Sequence, residues 1–471
     1  MKKKRSRIRA ALAVTLALTL FPLPAAANSA QTRWSGTDAA GAIVTEESCP
    51  LVVEHEQLRF ALSEFPENYY SDISDFLAYS GSVTAEYTFY NPADYTVNAT
   101  LVFPFGAAPD YGTIYVPDTD TRCYDTDTEK HLVTVNGTAV PRTLRHTLLT
   151  GGETFDLKAD LAKLHDGFQL DPFYEPMLTV TRCIYQPSGI DTAAYPAATA
   201  AFEYRGDASR VRLLAENSCG GRLLDDGIQL DFWADQNGGL VLDVIGGLPE
   251  EPQWKFYENG SCEKEIDGSM TLVSTETMTL ADLALRRYDE RSGILDYDWY
   301  NAFITLLNRF EWEYGVIPGS EVPFDLSGQL MRWYEYDITL APGEHIVNAV
   351  TAPMYPAIDG NYAPPVYAYT YLLSPAQSWA SFGDLDIVIE TPFYLTQSSL
   401  GGFEKTDAGY ALHREGLPSG ELTFTLCAEE DAQPHWSGSG MVQVLFVFVG
   451  LGALLAAILL WNRRSRKNTE A

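Results

Sequence analysis

The sequence predicts a mainly β protein: tandem antiparallel β-sandwich domains of immunoglobulin-like pattern, a helical hairpin insert and one C-terminal transmembrane helix. Three observations carry that expectation. Residues 83–105 alternate in side-chain character with period two, the mark of a sheet with one buried face. Strand-like runs recur along the chain with glycine- and proline-bearing turns between them, the pattern of an all-β assembly. Strong helical periodicity is confined to 279–314, and a long uncharged apolar run closes the chain at 441–460.

At the N-terminus, six basic residues precede an apolar run from Ala10 to Leu20, followed by Pro22, Pro24 and Ala25-Ala26-Ala27. A charged start, a short apolar core and small residues at an A-x-A-like site describe a secretory signal peptide rather than an anchor. Residues 1–27 are therefore expected to be removed before Asn28.

The next region, 48–168, holds a strand near Leu51–Leu62 and the 83–105 stretch, read as a hairpin about Asn91-Pro92-Ala93-Asp94. Val83, Ala85, Tyr87 and Phe89 would share one face, and Phe89, Leu101 and Phe103 would be core. Asn136-Gly137 is a strong two-residue hairpin turn. Leu157, Leu161 and Leu164 lie at helical spacing and stop at Gly167.

Region 169–278 reads as seven short strands separated by turn residues: LTVTRCIY, ATAAFEYRG, SRVRLLAE, IQLDFWAD, GLVLDVIGG, PQWKFYENG and SMTLVSTETM. Seven strands in a segment of that size fit an immunoglobulin-like sandwich, without the Cys…Trp…Cys spacing of true immunoglobulin domains. A helical hairpin follows at 279–327. Thr279 with Asp282 is close to a capping box for a first helix that Ser292-Gly293 ends, and Asp298 is expected to cap a second, with Trp299, Phe303, Leu306, Leu307 and Phe310 at helical spacing.

The last β region, 328–430, contains RWYEYDITL, a Pro342-Gly343 turn, HIVNAV, VYAYTYLL, LDIVIE and ELTFTLC. Ser437-Gly438-Ser439-Gly440 makes the 431–440 segment a juxtamembrane hinge. Met441 to Leu460 carries no charge and, at about 1.5 Å per residue, spans roughly the 30 Å of a bilayer's hydrocarbon core. Trp436 and Trp461 flank the expected 441–461 span, and Arg463, Arg464, Arg466 and Lys467 make the 462–471 tail cytoplasmic by the positive-inside rule. The expected product is a single-pass plasma-membrane protein, N-terminus outside, whose basic leader looks bacterial.

The full chain has 32 basic and 63 acidic residues; without leader and tail the count is 22 against 62. A surface of that sign repels phosphate backbones and excludes nucleic-acid binding. Six cysteines, Cys49, Cys123, Cys183, Cys219, Cys262 and Cys427, are widely spaced without C-x-x-C. That pattern speaks against zinc and suits up to three disulfides in an oxidising compartment, Cys219–Cys262 and Cys49–Cys427 being two of the pairings open.

Tyr87-x-Phe89-x-Asn91 followed by Phe103-Pro104 resembles the opening hairpin of the vault/inter-alpha-trypsin type domain, where a strand ending near Phe-x-Asn precedes one ending in Phe-Pro. Extracytoplasmic bacterial families of unknown function are similar here. The likeness spans 87–104. The D-x-S-x-S adhesion motif of a von Willebrand A-type domain is absent, so the resemblance implies fold and location and carries no functional residue across.

Motifs for chemistry are sparse. Asp118, Asp120, Asp125, Asp127 and Glu129 are hard oxygen ligands that would suit calcium, but neither D-x-D run has the glycine of an EF-hand turn. The seven histidines, His55, His131, His146, His165, His345, His413 and His435, are scattered, and the HEQLR at His55 is not H-E-x-x-H. No G-x-S-x-G elbow is found. Accordingly no residue is assigned a catalytic, cofactor-binding or metal-binding role and no cofactor is expected. Tyr367, Tyr369 and Tyr371 share a strand face, and Tyr69-Tyr70 lie in a loop. Such stripes stack on sugars or anchor protein contacts when exposed, and otherwise pack in a core. The expected function is non-enzymatic binding of a protein or glycan at the cell surface; the alternative is a membrane-tethered envelope enzyme acting on polysaccharide.

Overall fold

A computed structural model describes residues 33–34, 38–45, 49–66, 79–107, 109, 111, 114–116, 121–123, 131–149, 157–205, 212–216, 218–224, 227–234, 239–246, 253–286, 293–314, 317–318, 326 and 328–434. The expected signal peptide, transmembrane helix and cytoplasmic tail lie outside these residues, as do Tyr69-Tyr70, His435 and most of the 118–129 loop. Among the described residues no helix is long and apolar enough to cross a membrane. The chain is mainly β, as expected.

An eight-stranded sheet forms the backbone of the main body. Its order is Thr138–Ala139, Val133–Val135, His345–Pro353, Ser82–Tyr90, Val52–Ala61, Ser381–Glu390, Gly409–Glu415 and Glu404–Lys405. All neighbours are antiparallel except Val52–Ala61 and Ser381–Glu390, which run parallel. Two smaller sheets face it. One orders Thr143–Leu148, Leu330–Leu340, Val97–Gly106 and Ile43–Val44; the other is built around Val366–Leu372 and Leu422–Cys427. Between them lies one large core: Leu58, Phe60, Val83, Ala85, Tyr87 and Phe89 meet Leu101, Phe103, Tyr336, Tyr369, Tyr371 and Phe424.

The alternation at 83–105 thus assigns the faces correctly: Val83, Ala85, Tyr87 and Phe89 are fully buried, as are Leu101 and Phe103. The expected hairpin is corrected. Ser82–Tyr90 pairs with Val52–Ala61 and His345–Pro353, whereas Val97–Gly106 pairs with Leu330–Leu340 in the opposing layer. The 91–96 connection is therefore an arch between layers. Asn91 holds it: its side-chain amide donates to the carbonyls of Tyr95, Leu340 and Ala341, and its side-chain oxygen accepts from Ala93 N–H. Period two fixes which side chains point inward, but not which strand lies alongside.

Strand pairing also joins stretches that the sequence reading separates. Regions 48–168 and 328–430 contribute strands to the same sheets, so they form one body rather than two. The chain between them is an insertion. It leaves at Leu148 and returns at Leu330, which are register partners on adjacent strands.

The seven strands expected in 169–278 are all present, and an eighth, Ser218–Leu224, carries Gly220-Gly221 and gives little strand signal. A five-stranded sheet orders Ser269–Thr279, Thr179–Ser188, Leu240–Ile245, Arg212–Glu216 and Ile317–Pro318. It faces a four-stranded sheet ordered Ser218–Leu224, Gly227–Trp233, Thr199–Arg205 and Gln253–Tyr257. Cys183, Tyr185, Phe202, Leu230, Phe232 and Leu242 fill the space between them.

The capping box is present: Thr279 Oγ1 accepts from Asp282 N–H and the Asp282 carboxylate accepts from Thr279 N–H. The helix it starts, Leu280–Ala284, is a single short segment, ending well before the expected Ser292-Gly293. The second helix, Asp296–Tyr314, begins two residues before the expected cap, so Asp298 lies in its first turn and not at its cap; the helix buries Trp299, Phe303, Leu306 and Leu307 as its spacing demands. These side chains pack on Val180, Leu214 and Ile245 of the insert's sheet and on Leu148 and Leu330 of the main body. The helical hairpin is the joint between the two sandwiches.

Candidate binding groove

The residues singled out in the sequence fall into three groups. Tyr367, Tyr369 and Tyr371 point into the main core and are 8 %, 1 % and 0 % exposed. Val366–Leu372 alternates, and its tyrosine face meets Phe60, Tyr79 and Phe424, so these side chains are unavailable to a ligand. The acidic loop is outside the described residues, apart from the Thr121–Cys123 backbone strand. Among the described residues, no group of three His, Cys, Asp or Glu side chains is arranged to hold a metal ion.

The histidines do partly converge. His55 Nε2 and His413 Nδ1 lie 2.9 and 2.8 Å from the two oxygens of Asp386, on three neighbouring strands of the eight-stranded sheet's outer face. The hydrogen bond from His55, then that from His413, holds the Asp386 carboxyl below its ordinary range, and Asp386 in turn raises His413. Separations of 27 and 331 residues hid this row from any motif search. All three side chains are well exposed, so the row is a solvated polar strip, worth little in stability.

Buried charge is structural. Arg145, 1 % exposed, donates to Asp298, Glu335 and Asp166, and Asp298 also accepts from His146 N–H. This network ties strand Thr143–Leu148 to the start of helix Asp296–Tyr314. Burial, reinforced by the neighbouring Arg332 and Arg145, pushes His146 down to about 3 and keeps it neutral. A second network on the insert links Arg182 to Glu216 and Asp243; burial raises the Asp243 carboxyl to about 6 against the pull of Arg182.

A roomy concavity that combines an apolar floor with polar walls is a groove of about 680 Å³ on the outer side of the Val366–Leu372 sheet. Its origin is the same alternation that buries the tyrosines. The intervening residues Val366 and Ala368 are small and face outward, joined by Thr425 and Thr396 from the neighbouring strands. Thr396 and Thr425 hydroxyls share a hydrogen bond at 2.7 Å. One wall is the short pairing of Tyr362–Ala363 with Gln433–Pro434, which places Glu430 and Asp431 beside the floor. Asp359 closes the wall; its carboxylate accepts from the backbone and side-chain N–H groups of Asn361.

Three carboxylates, two threonines, Gln397, Gln433 and Tyr362 line the groove, and no histidine, lysine, arginine or cysteine does. Anions are repelled by such a lining. Hydroxyl groups, amides and cations find acceptors there, and the size is that of a small-ligand site. The lining comes from 357–368, 396–425 and 430–433, each without a motif of its own. The alternation of Val366–Leu372 was the only sequence signal, and it points to the outward residues only once the tyrosines are known to be inside.

No protein-family model matches the chain, and no curated protein matches it. Among solved structures, a candidate nutrient binding protein from Legionella pneumophila aligns over 84 % of this chain and 72 % of its own, at 11 % sequence identity and a TM-score of 0.33.

Proposed function

We propose that this chain is a membrane-anchored, extracytoplasmic binding protein whose groove on the Val366–Leu372 sheet takes a hydroxyl-rich or cationic ligand, a glycan segment or a protein side chain. In this reading the 441–461 span tethers immunoglobulin-like β-sandwiches outside a bacterial plasma membrane. The groove wall ends at Pro434, and six residues, 435–440, separate it from the start of that span at Met441, so the groove opens near the membrane. The observation that carries the reading is the lining: hydrogen-bond acceptors over a small apolar floor, in a groove of small-ligand size.

The test is to present the full chain, in lipid nanodiscs, with a panel of wall polymers, neutral glycans and basic peptides, scoring retention and turnover together. Retention without turnover is expected. E430Q with D431N should weaken it about tenfold or more, a loss of ~1.4 kcal/mol or more. Release of shortened polymer would replace this reading by a membrane-tethered polysaccharide enzyme. Unchanged retention by the double variant would move the site elsewhere.

A further inference from the structure

Strand Ser218–Leu224 is one edge of the insert's four-stranded sheet, and Gln253–Tyr257 is the other. The chain leaving Tyr257 folds back on itself. Glu258 N–H donates to Lys264 O, Ile266 N–H donates to Phe256 O, and Tyr257 bridges Glu265. At the tip, Cys262 N–H donates to Asn259 O and Cys262 sits in the left-handed region, with φ of 52°. A non-glycine residue held there marks a turn fixed by its surroundings. The tip reaches across the sheet's outer face. A Cβ added to Gly260 would lie 4.0 Å from the Thr199 hydroxyl, and Cys262 Sγ lies 3.8 Å from Asp231 Oδ1, one strand further on.

Cys219 comes to meet it. The pairing of Ser218–Leu224 with Gly227–Trp233 passes from Ser218↔Phe232 to Gly220↔Asp231, leaving Cys219 as the extra residue of a β-bulge. The Asp231 carboxylate, beside Cys262, is also 3.7 Å from where a Gly220 Cβ would stand, next door to Cys219. The carboxylate is held in place: Oδ1 accepts from Gln229 Nε2, whose own Oε1 accepts from Arg222. Burial first, then Asp231, raises both thiols, and Cys219, pushed up to about 11, also feels the charge of Cys262.

We propose that Cys219 and Cys262 are a disulfide-forming pair that fastens the 258–265 turn across the sheet to the far edge strand. Cys262 Sγ lies against the Asp231 carboxylate and Cys219 adjoins the Gly220 that faces it; Cys219 is exposed and Cys262 half-buried, so an oxidant reaches them. Cys183 and Cys427 are fully buried in the cores of the insert and the main body and stay thiols. Held protonated, the pair is a poor nucleophile and closes by exchange with a more oxidising disulfide, small-molecule or protein-borne. One sulfur loses its proton, attacks that disulfide and expels a thiolate. The second sulfur loses its proton, displaces the mixed disulfide and forms the Cys219–Cys262 bond. Two protons and two electrons leave the pair, and the oxidant departs as two thiols.

The test uses the full chain in detergent, equilibrated with oxidised glutathione, alkylated, digested without reductant and read by mass spectrometry. The expected product joins the Cys219 and Cys262 peptides and is two hydrogens lighter than the two thiol peptides together. Reductant should return both to alkylatable form. C219S should leave Cys262 a free thiol or a mixed disulfide with glutathione, joined to no other peptide of the chain, with Cys183 and Cys427 unchanged. Quantitative alkylation of both residues in the oxidised wild-type chain would overturn the proposal, and so would Cys262 joined to another cysteine. The wild-type measurement requires no variant to fold.

Discussion

Glu56 is a carboxyl buried in the main core. It is 1 % exposed, on a strand whose other inward residues are apolar. The strand carries a register irregularity between Val53 and His55. Its Oε1 has no hydrogen-bond partner in the structure, although the hydroxyls of Tyr87 and Tyr371 stand close enough to favour the charged form in part. The three polar atoms converge on Gly41, where an added Cβ would lie 3.0 Å from Tyr87 Oη, 3.6 Å from Tyr371 Oη and 3.8 Å from Glu56 Oε1. Burial dominates and lifts the carboxyl from 4.5 to about 7. Between those values the folded chain holds a proton that the unfolded chain has lost. Stability from this group is thus full below about 4.5 and falls as pH rises to about 7. That shift corresponds to on the order of 3 kcal/mol. E56Q, which keeps the shape without the charge, should raise stability at pH 8 relative to wild type and flatten the decline between pH 5 and 8, measured by urea unfolding. His146, held near 3, acts oppositely, adding stability as pH rises toward 6.5. The comparison is therefore made between variant and wild type at each pH. An E56Q chain that follows the wild-type pH dependence would refute this assignment.

At the scale of elements, the arch at 91–96 decides how the layers close. Asn91 is fully buried, and its side chain bridges the end of Ser82–Tyr90 to the carbonyls of Leu340 and Ala341 in the facing layer. N91A leaves those buried acceptors without their donor, at a cost of about 2–3 kcal/mol. T279A removes a half-exposed cap and should cost about 1 kcal/mol. Chemical denaturation of both variants tests the ranking, and a T279A loss exceeding that of N91A would contradict it. The same elements show what the sequence made legible. Strand existence and inward faces were readable, because burial of one face imposes period two, as Val83 to Phe89 demonstrate. The turn at Asn136-Gly137 was readable because both residues adopt positive φ, at 50° and 78°. Partnership was not readable: Val52–Ala61 lies beside Ser381–Glu390, and nothing local encodes a neighbour more than 300 residues away. For the same reason the tyrosines of Val366–Leu372 were equally consistent with an exposed stripe, and the groove behind them had no signature.

For the whole molecule, the order of strands determines what can fold alone. The central strands of the eight-stranded sheet come from both sides of the insertion: Ser82–Tyr90 and Val52–Ala61, from before it, lie between His345–Pro353 and Ser381–Glu390, from after it. A chain ending at residue 168 keeps Val52–Ala61 and Ser82–Tyr90 but loses the strand on the outer side of each. It also loses Leu330–Leu340, the neighbour of both Val97–Gly106 and Thr143–Leu148. Its inward residues Phe60, Phe89, Leu101 and Phe103 would have no facing Tyr336, Tyr371 or Phe424. The insertion is different. Residues 170–329 contain every strand of its two sheets and both helices of the joint, and the Cys183, Phe202 and Leu242 core is internal to it. Among the described residues, its contacts beyond 170–329 include those with Leu148 and Leu330, the Arg145–Asp298 network, and the 167–169 segment, where Asn301 bonds Gly167 and Gln169 and Tyr300 packs on Phe168. Asp298 freed from Arg145 in an excised insert meets solvent, so its loss is smaller than that of a charge left unpaired in a core. Fragment 170–329 should therefore show a cooperative thermal transition, and fragment 28–168 none, by circular dichroism and calorimetry. A main body in which several neighbouring strands lie hundreds of residues apart must close long loops before it gains those contacts, so it should also fold more slowly than the excised insert. A cooperative transition in 28–168 would mean that the first strands find a different pairing when alone, and the interleaved order would then be one of two solutions available to this sequence.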